Sequence, residues 1–138
     1  FTLEVVNNAV DMMFSGSKFI ATNLDPSTKN KGWSNLGFKA IVKMTEEATG
    51  KQAFSVGKPS PVMMRAARKY LGLEASETVI IGDTMDTDIL GGVQLGYTTI
   101  LTLSGVSTKE NLIDYAFKPD LIVNSVADIE LEKVLALK

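Results

Sequence analysis

The 138-residue chain carries 14 Lys and Arg against 16 Asp and Glu, a net charge of −2, and contains neither Cys nor His. The length suits one domain of ordinary size, and an apolar share of 45 % is enough to bury a core. Missing Cys excludes a disulfide framework, a thiolate nucleophile and a Cys-type zinc site, while missing His excludes a Ser-His-Asp relay and imidazole metal ligation. Chemistry is left to carboxylates, lysines, hydroxyls, backbone amides and a hard metal ion. A slightly acidic chain with no Lys/Arg cluster lacks the footprint of a nucleic-acid binder. Apolar runs as short as Val79-Ile80-Ile81 fall far below the ~20 residues of a membrane span. Absent cysteine fits a reducing compartment, so a cytoplasmic location is expected.

Leu3, Val6, Val10 and Met13 fall at helical spacing, with Thr2 as N-cap and Gly16 as stop. Lys18 to Thr22 reads as a short strand ended by Asn23 and Asp25-Pro26, and residues 26–37 as a polar loop carrying Trp33. Phe38, Ile41, Val42 and Thr45 line a second helix closed by Gly50. From Gln52 the pattern becomes regular: a strand at 53–56, then Gly57-Lys58-Pro59, then a helix started by Ser60-Pro61 and stopped by Gly72. Thr78 to Ile81 is a strand apolar enough to be covered on both faces. A helix at 86–95, a strand at 98–103, a short helix at 109–115, a strand at 121–123 and a helix at 127–137 complete the pattern. Such alternation predicts an α/β fold with a mainly parallel sheet. A boundary is expected at residues 50–52, because the first third is more polar and loop-rich. Met12-Met13 and Met63-Met64 read as core or interface filler, and Gly91-Gly92 as a close helix–sheet approach.

In open α/β sheets, ligands bind beyond the carboxyl ends of the strands. Asp83 directly follows such a strand, with Asp86 and Asp88 close behind. Three carboxylates in six residues repel one another unless a cation sits among them, and hard oxygens favour Mg²⁺ or Ca²⁺. The plainer reading is an acidic helix start favoured by the helix dipole. Lys58 also follows a strand and precedes a helix, where an amine can meet a phosphate or carboxylate as a point charge. It can equally be an exposed loop lysine. Both positions would face one crevice.

Gly57-Lys58-Pro59-Ser60-Pro61 followed by Val79-Ile80-Ile81-Gly82-Asp83-Thr84-Met85-Asp86-Thr87-Asp88 resembles motifs three and four of the haloacid dehalogenase (HAD) superfamily. It looks most like the 4-nitrophenylphosphatase/NagD branch, which carries a large α/β cap. The likeness continues through Ile89 to Gly92, Gly96 to Thr99 and Leu103-Ser104-Gly105-Val106, and reaches back to Phe19–Asp25. The resemblance implies a Rossmann-like HAD core, of which residues 52–138 are the C-terminal part, and a cap, of which residues 1–51 are a part. It implies a Mg²⁺-dependent phosphatase acting on a small phosphorylated metabolite. Lys58 would neutralise nucleophile and phosphate, Asp83 would bind the metal directly, and Asp88 would hold its water shell or the lysine. Asn23 and Asp25 would lie on a substrate-facing cap loop, although a turn before Pro26 explains them as well. Caps of this branch often mediate dimers, which makes a homodimer conceivable.

The family nucleophile lies in Asp-x-Asp-Gly-Thr after an apolar strand. The single Asp-x-Asp here, Asp86-Thr87-Asp88, is followed by Ile89-Leu90 and belongs to motif four. The expectation is therefore a C-terminal portion without a nucleophile, inactive alone, in a chain that opens on Phe1 within a helical pattern. A non-catalytic binding or scaffold module is the alternative. A receiver-like phosphoacceptor with Asp83 modified fits poorly, because its lysine should follow the acceptor.

Overall fold

The computed structural model describes residues 2–30 and 33–137, and the side chains of 28–30 and 33–35 fall outside that description, so the packing of Trp33 lies outside the described residues. The chain divides into two compact units, Phe1–Gly57 and Lys58–Lys138.

The first unit contains α1 (Leu3–Phe14), β1 (Ile20–Ala21), β2 (Thr28–Asn30), β3 (Trp33–Asn35), α2 (Phe38–Thr49) and β4 (Phe54–Ser55). Thr2 caps α1 as expected, its hydroxyl accepting from the Val5 amide at 3.4 Å. That helix buries Val6 and Met13, while Met12 stays exposed. Gly50 closes α2 with φ 66°, the left-handed conformation that glycine adopts without a Cβ penalty. Strands β1 and β4 pair in parallel, Ile20 against Phe54. The stretch 26–37 is not all loop: β2 and β3 form an antiparallel hairpin, with Thr28 opposite Asn35. Its polar residues lack apolar alternation, so nothing in their pattern announces a strand.

The second unit contains α3 (Pro61–Leu71), β5 (Val79–Gly82), a π-helical turn Met85–Ile89, α4 (Leu90–Leu95), β6 (Thr98–Thr102), β7 (Leu121–Val123) and α5 (Leu131–Leu135). Ser60 caps α3 by accepting from the Val62 amide, and Pro61 takes the first helical position. The sheet is parallel in the order β5-β6-β7. The expected helix over 86–95 is instead a π turn followed by α4, and that over 127–137 is a 3₁₀ turn at Val126–Asp128 followed by the short α5.

Central β6 buries Thr99, Ile100, Leu101 and Thr102, whereas Ile81 of β5 is 46 % exposed. The double coverage expected of β5 thus belongs to β6, because β5 is a sheet edge among the described residues. Buried Thr99 is satisfied by Asp120, which accepts from both its amide and its hydroxyl at 2.8 Å. A Cβ on Gly92 would lie 2.5 Å from Ile80 Cγ2 and 2.6 Å from Thr99 Cγ2, so α4 lies close on the sheet there. Met85, Ile89 and Leu101 form the fully buried core, with Leu103, Leu112, Tyr115 and Phe117 packed on it.

Candidate active site

Two chain segments bring the charged residues of the second unit together. Lys58 sits just before α3, and Asp88 in the π turn after β5; Lys58 Nζ donates to Asp88 Oδ1 at 2.5 Å. The pair is lopsided in exposure, with the lysine side chain 42 % accessible and the carboxylate 6 %. The ammonium therefore keeps a solvent-facing side, while the carboxylate depends on its partners. Its second oxygen, Oδ2, accepts from the Thr84 amide at 3.2 Å.

Asp83 follows the last residue of β5 and is half-buried. Its Oδ2 accepts from the Val106 amide at 3.0 Å, and its Oδ1 from the Thr84 hydroxyl at 3.3 Å. Thr84 thus touches both carboxylates, the amide on Asp88 and the hydroxyl on Asp83. Two glycines make room for this packing. A Cβ on Gly82 would lie 2.3 Å from Asp88 Cβ, and one on Gly105 would lie 1.8 Å from Asp83 Oδ2.

Asp86 goes elsewhere. It is exposed, and its Oδ2 accepts from the Tyr115 hydroxyl at 2.9 Å. Burial, followed by the bond to Asp86 and the charges of Asp86 and Asp114, pushes the Tyr115 phenol above the usual tyrosine range. Among the described residues no group of three acidic side chains converges as a metal cage. The three carboxylates in six residues relieve their repulsion by turning to different partners: Val106 and Thr84, Tyr115, and Lys58.

The two-carboxylate set still suits Mg²⁺. That ion takes one or two protein carboxylates and retains waters; Asp83 offers hard oxygens, while both Asp88 oxygens already accept, from Lys58 and the Thr84 amide. Asp83 Oδ1 is the oxygen left without a backbone donor, and the glycine-made space beside each carboxylate holds it in place.

Asn23 and Asp25 lie in the first unit and form a turn of their own. The Asp25 amide donates to Asn23 Oδ1 at 3.4 Å, and the Asp25 carbonyl accepts from the Lys39 amide at 3.1 Å. A separate cavity of about 590 Å³ in the second unit is lined by apolar side chains including Met85, Leu112 and Phe117; Lys58, Asp83 and Asp88 do not line it. Thr84, Val106 and Ser107 are site residues that side-chain patterning does not reveal, since much of their contribution comes from the backbone. Thr84 and Val106 fall inside the stretches that carry the family resemblance, but nothing in those stretches marks their backbone amides as donors.

Comparison with known proteins gives the chain its relatives. A family described as HAD-hydrolase-like matches residues 55–129. The chain is 39 % identical over 131 residues to the ribonucleotide monophosphatase NagD of Escherichia coli K12, covering 95 % of this chain and 51 % of that protein. It is 34 % identical over 129 residues to a dihydroxyacetone phosphatase of Corynebacterium glutamicum, covering 94 % and 47 %. The solved p-nitrophenyl phosphatase of Archaeoglobus fulgidus superposes with a TM-score of 0.82 at 34 % identity, over 99 % of this chain and 52 % of that one. The chain spans about half the length of the curated relatives it matches.

Proposed function

The chain belongs to the HAD-hydrolase-like family, and from that premise we propose that it forms the lysine- and metal-binding part of a phosphatase for small phosphomonoesters. The observation that carries this reading is the pairing of Lys58 with Asp88 beside Asp83 at the carboxyl end of β5. Lys58 presents positive charge to a phosphate while Asp88 fixes where its ammonium sits. Asp83 and Asp88 would hold Mg²⁺. A bound Mg²⁺ supplies positive charge against a transferring phosphoryl group.

In the proposed reaction an aspartate oxygen bonds to phosphorus as the ester P–O bond breaks, and the leaving oxygen takes a proton from solvent to give the alcohol. Water then breaks the aspartyl-phosphate P–O bond, restoring the aspartate and releasing inorganic phosphate. The family resemblance puts that aspartate in an Asp-x-Asp-Gly-Thr stretch, which these residues lack. The nucleophile is accordingly assigned to a part of the protein outside these 138 residues. Residues 1–51 are read as part of a cap and 52–138 as part of the catalytic core, with Asn23 and Asp25 on a cap turn that meets substrate.

Hydrolysis of 4-nitrophenyl phosphate tests the assignment. The 138-residue chain is expected to show no turnover. The same chain joined to the missing half of its relatives is expected to show Mg²⁺-dependent turnover, abolished by EDTA and by Asp83→Asn. Metal-dependent turnover by the purified chain, with an intact mass of 14.9 kDa, overturns the placement of the nucleophile.

A further inference from the structure

We propose that the turn Gly105–Ser107 after β6 is a positioning clamp that sets Asp83 for its cation, an inference that rests on the metal role given to Asp83 above. Three hydrogen bonds donated by backbone amides and one absent side chain make the clamp. The Val106 amide holds Asp83 Oδ2 at 3.0 Å, and the Ser107 amide donates to the Asp83 carbonyl at 2.9 Å. The Ser107 hydroxyl in turn accepts from the Met85 amide at 3.1 Å. Ser107 therefore bonds the backbone on both sides of Thr84, and it is buried, at 2 % exposure. Gly105 completes the arrangement, since any side chain there would occupy the place of Asp83 Oδ2.

The consequence is a division of labour between the two oxygens of one carboxylate. Oδ2 is engaged by the turn, and Oδ1 meets only the Thr84 hydroxyl among its hydrogen-bond partners. A free aspartate at a strand end would rotate about its side-chain bonds and lose that freedom on binding; here the Val106 amide and the Thr84 hydroxyl already restrict that rotation. Ser107 acts one step further back. Met85 is fully buried and leads the π turn that carries Asp88, so the Ser107 hydroxyl fixes the start of the segment joining the two carboxylates. Outer partners of metal ligands commonly govern affinity in this way, typically by 10–100-fold.

The two variants separate clamp from scaffold. In Gly105→Ala the added Cβ would lie 1.8 Å from Asp83 Oδ2, 2.4 Å from its Cγ and 2.5 Å from its Cβ, so the whole Asp83 side chain must move away from its position beside this exposed turn. Ser107→Ala removes the acceptor for the Met85 amide. Mn²⁺ binding to the 138-residue chain, followed by the loss of the free-ion electron paramagnetic resonance signal, is the readout, with thermal melts run alongside. Both variants are expected to weaken Mn²⁺ binding by about tenfold or more while still showing a cooperative melt. Asp83→Asn run beside them is expected to abolish binding. Gly105→Ala binding Mn²⁺ within about twofold of the parent, while Asp83→Asn binds none, overturns the clamp and leaves the ligand assignment standing. A parent chain that binds no Mn²⁺, or an Asp83→Asn chain that binds as the parent does, overturns the ligand assignment and the clamp with it. If either variant fails to fold, the other decides by the same limits.

Discussion

Lys58 and Asp88 show how one contact serves both stability and site chemistry. The carboxylate is nearly buried, and its two oxygens are shared between an ammonium and an amide. Removing the lysine leaves a buried anion with a single donor, a costlier state than losing both partners together. Because Lys58 is 42 % exposed, solvent softens the loss. Lys58→Met is expected to lower stability by about 1–3 kcal/mol, and Asp88→Asn added to it to restore part of that. Urea unfolding of the two single variants and the double variant checks this; strictly additive effects would mean the pair is not coupled. The resemblance named Lys58, Asp83 and Asp88 from identity and spacing alone. What spacing did not convey was that Asp86, two positions from Asp88, turns to Tyr115, because a phenol 29 residues away is invisible in a local motif.

At the scale of elements, α2 is tied to the segment entering β4 by Glu46. Its Oε2 accepts from Lys43 Nζ at 2.5 Å and its Oε1 from the Ala53 amide at 2.8 Å. The Lys43 bond first, and the Ala53 amide second, hold the Glu46 carboxyl below the usual glutamate range against the opposing effect of burial. A folded pKa below the unfolded one stabilises the protein above the unfolded value, about 4.3, and that contribution is lost as pH falls through the folded value. Glu46→Gln is therefore expected to melt lower than the parent at neutral pH and to converge with it as pH falls through the folded value. Melting curves across that range test the sign, and a constant gap between the two proteins would contradict it. Helix starts and stops were readable from Thr2, Ser60-Pro61, Gly50 and Gly72, since capping is local chemistry. The π turn was not readable. It depends on Met85 and Ile89 being buried while Asp88 meets Lys58 across 30 residues.

For the molecule as a whole, the open edge of β5 matters most. Among the described residues β5 bonds to β6 alone, and Ile81 is 46 % exposed at that edge. An unpaired apolar edge recruits other strands. The 138-residue chain is expected to self-associate as its concentration rises, and Ile81→Lys to suppress this; light scattering across a dilution series measures both. A chain that stays monomeric at all concentrations would show the edge to be protected. No helix among the described residues is long and apolar enough to cross a membrane.

The alternation of strands and helices, the caps and the lysine–aspartate spacing were all written locally, and local pattern was enough for the α/β class and the family. Tertiary structure decided the rest. It made β6 rather than β5 the fully covered strand, formed a hairpin from a polar stretch, and assigned each of three neighbouring carboxylates a different partner. Those outcomes depend on which distant backbone amides and side chains reach a given atom, and periodicity along the chain carries no information about that.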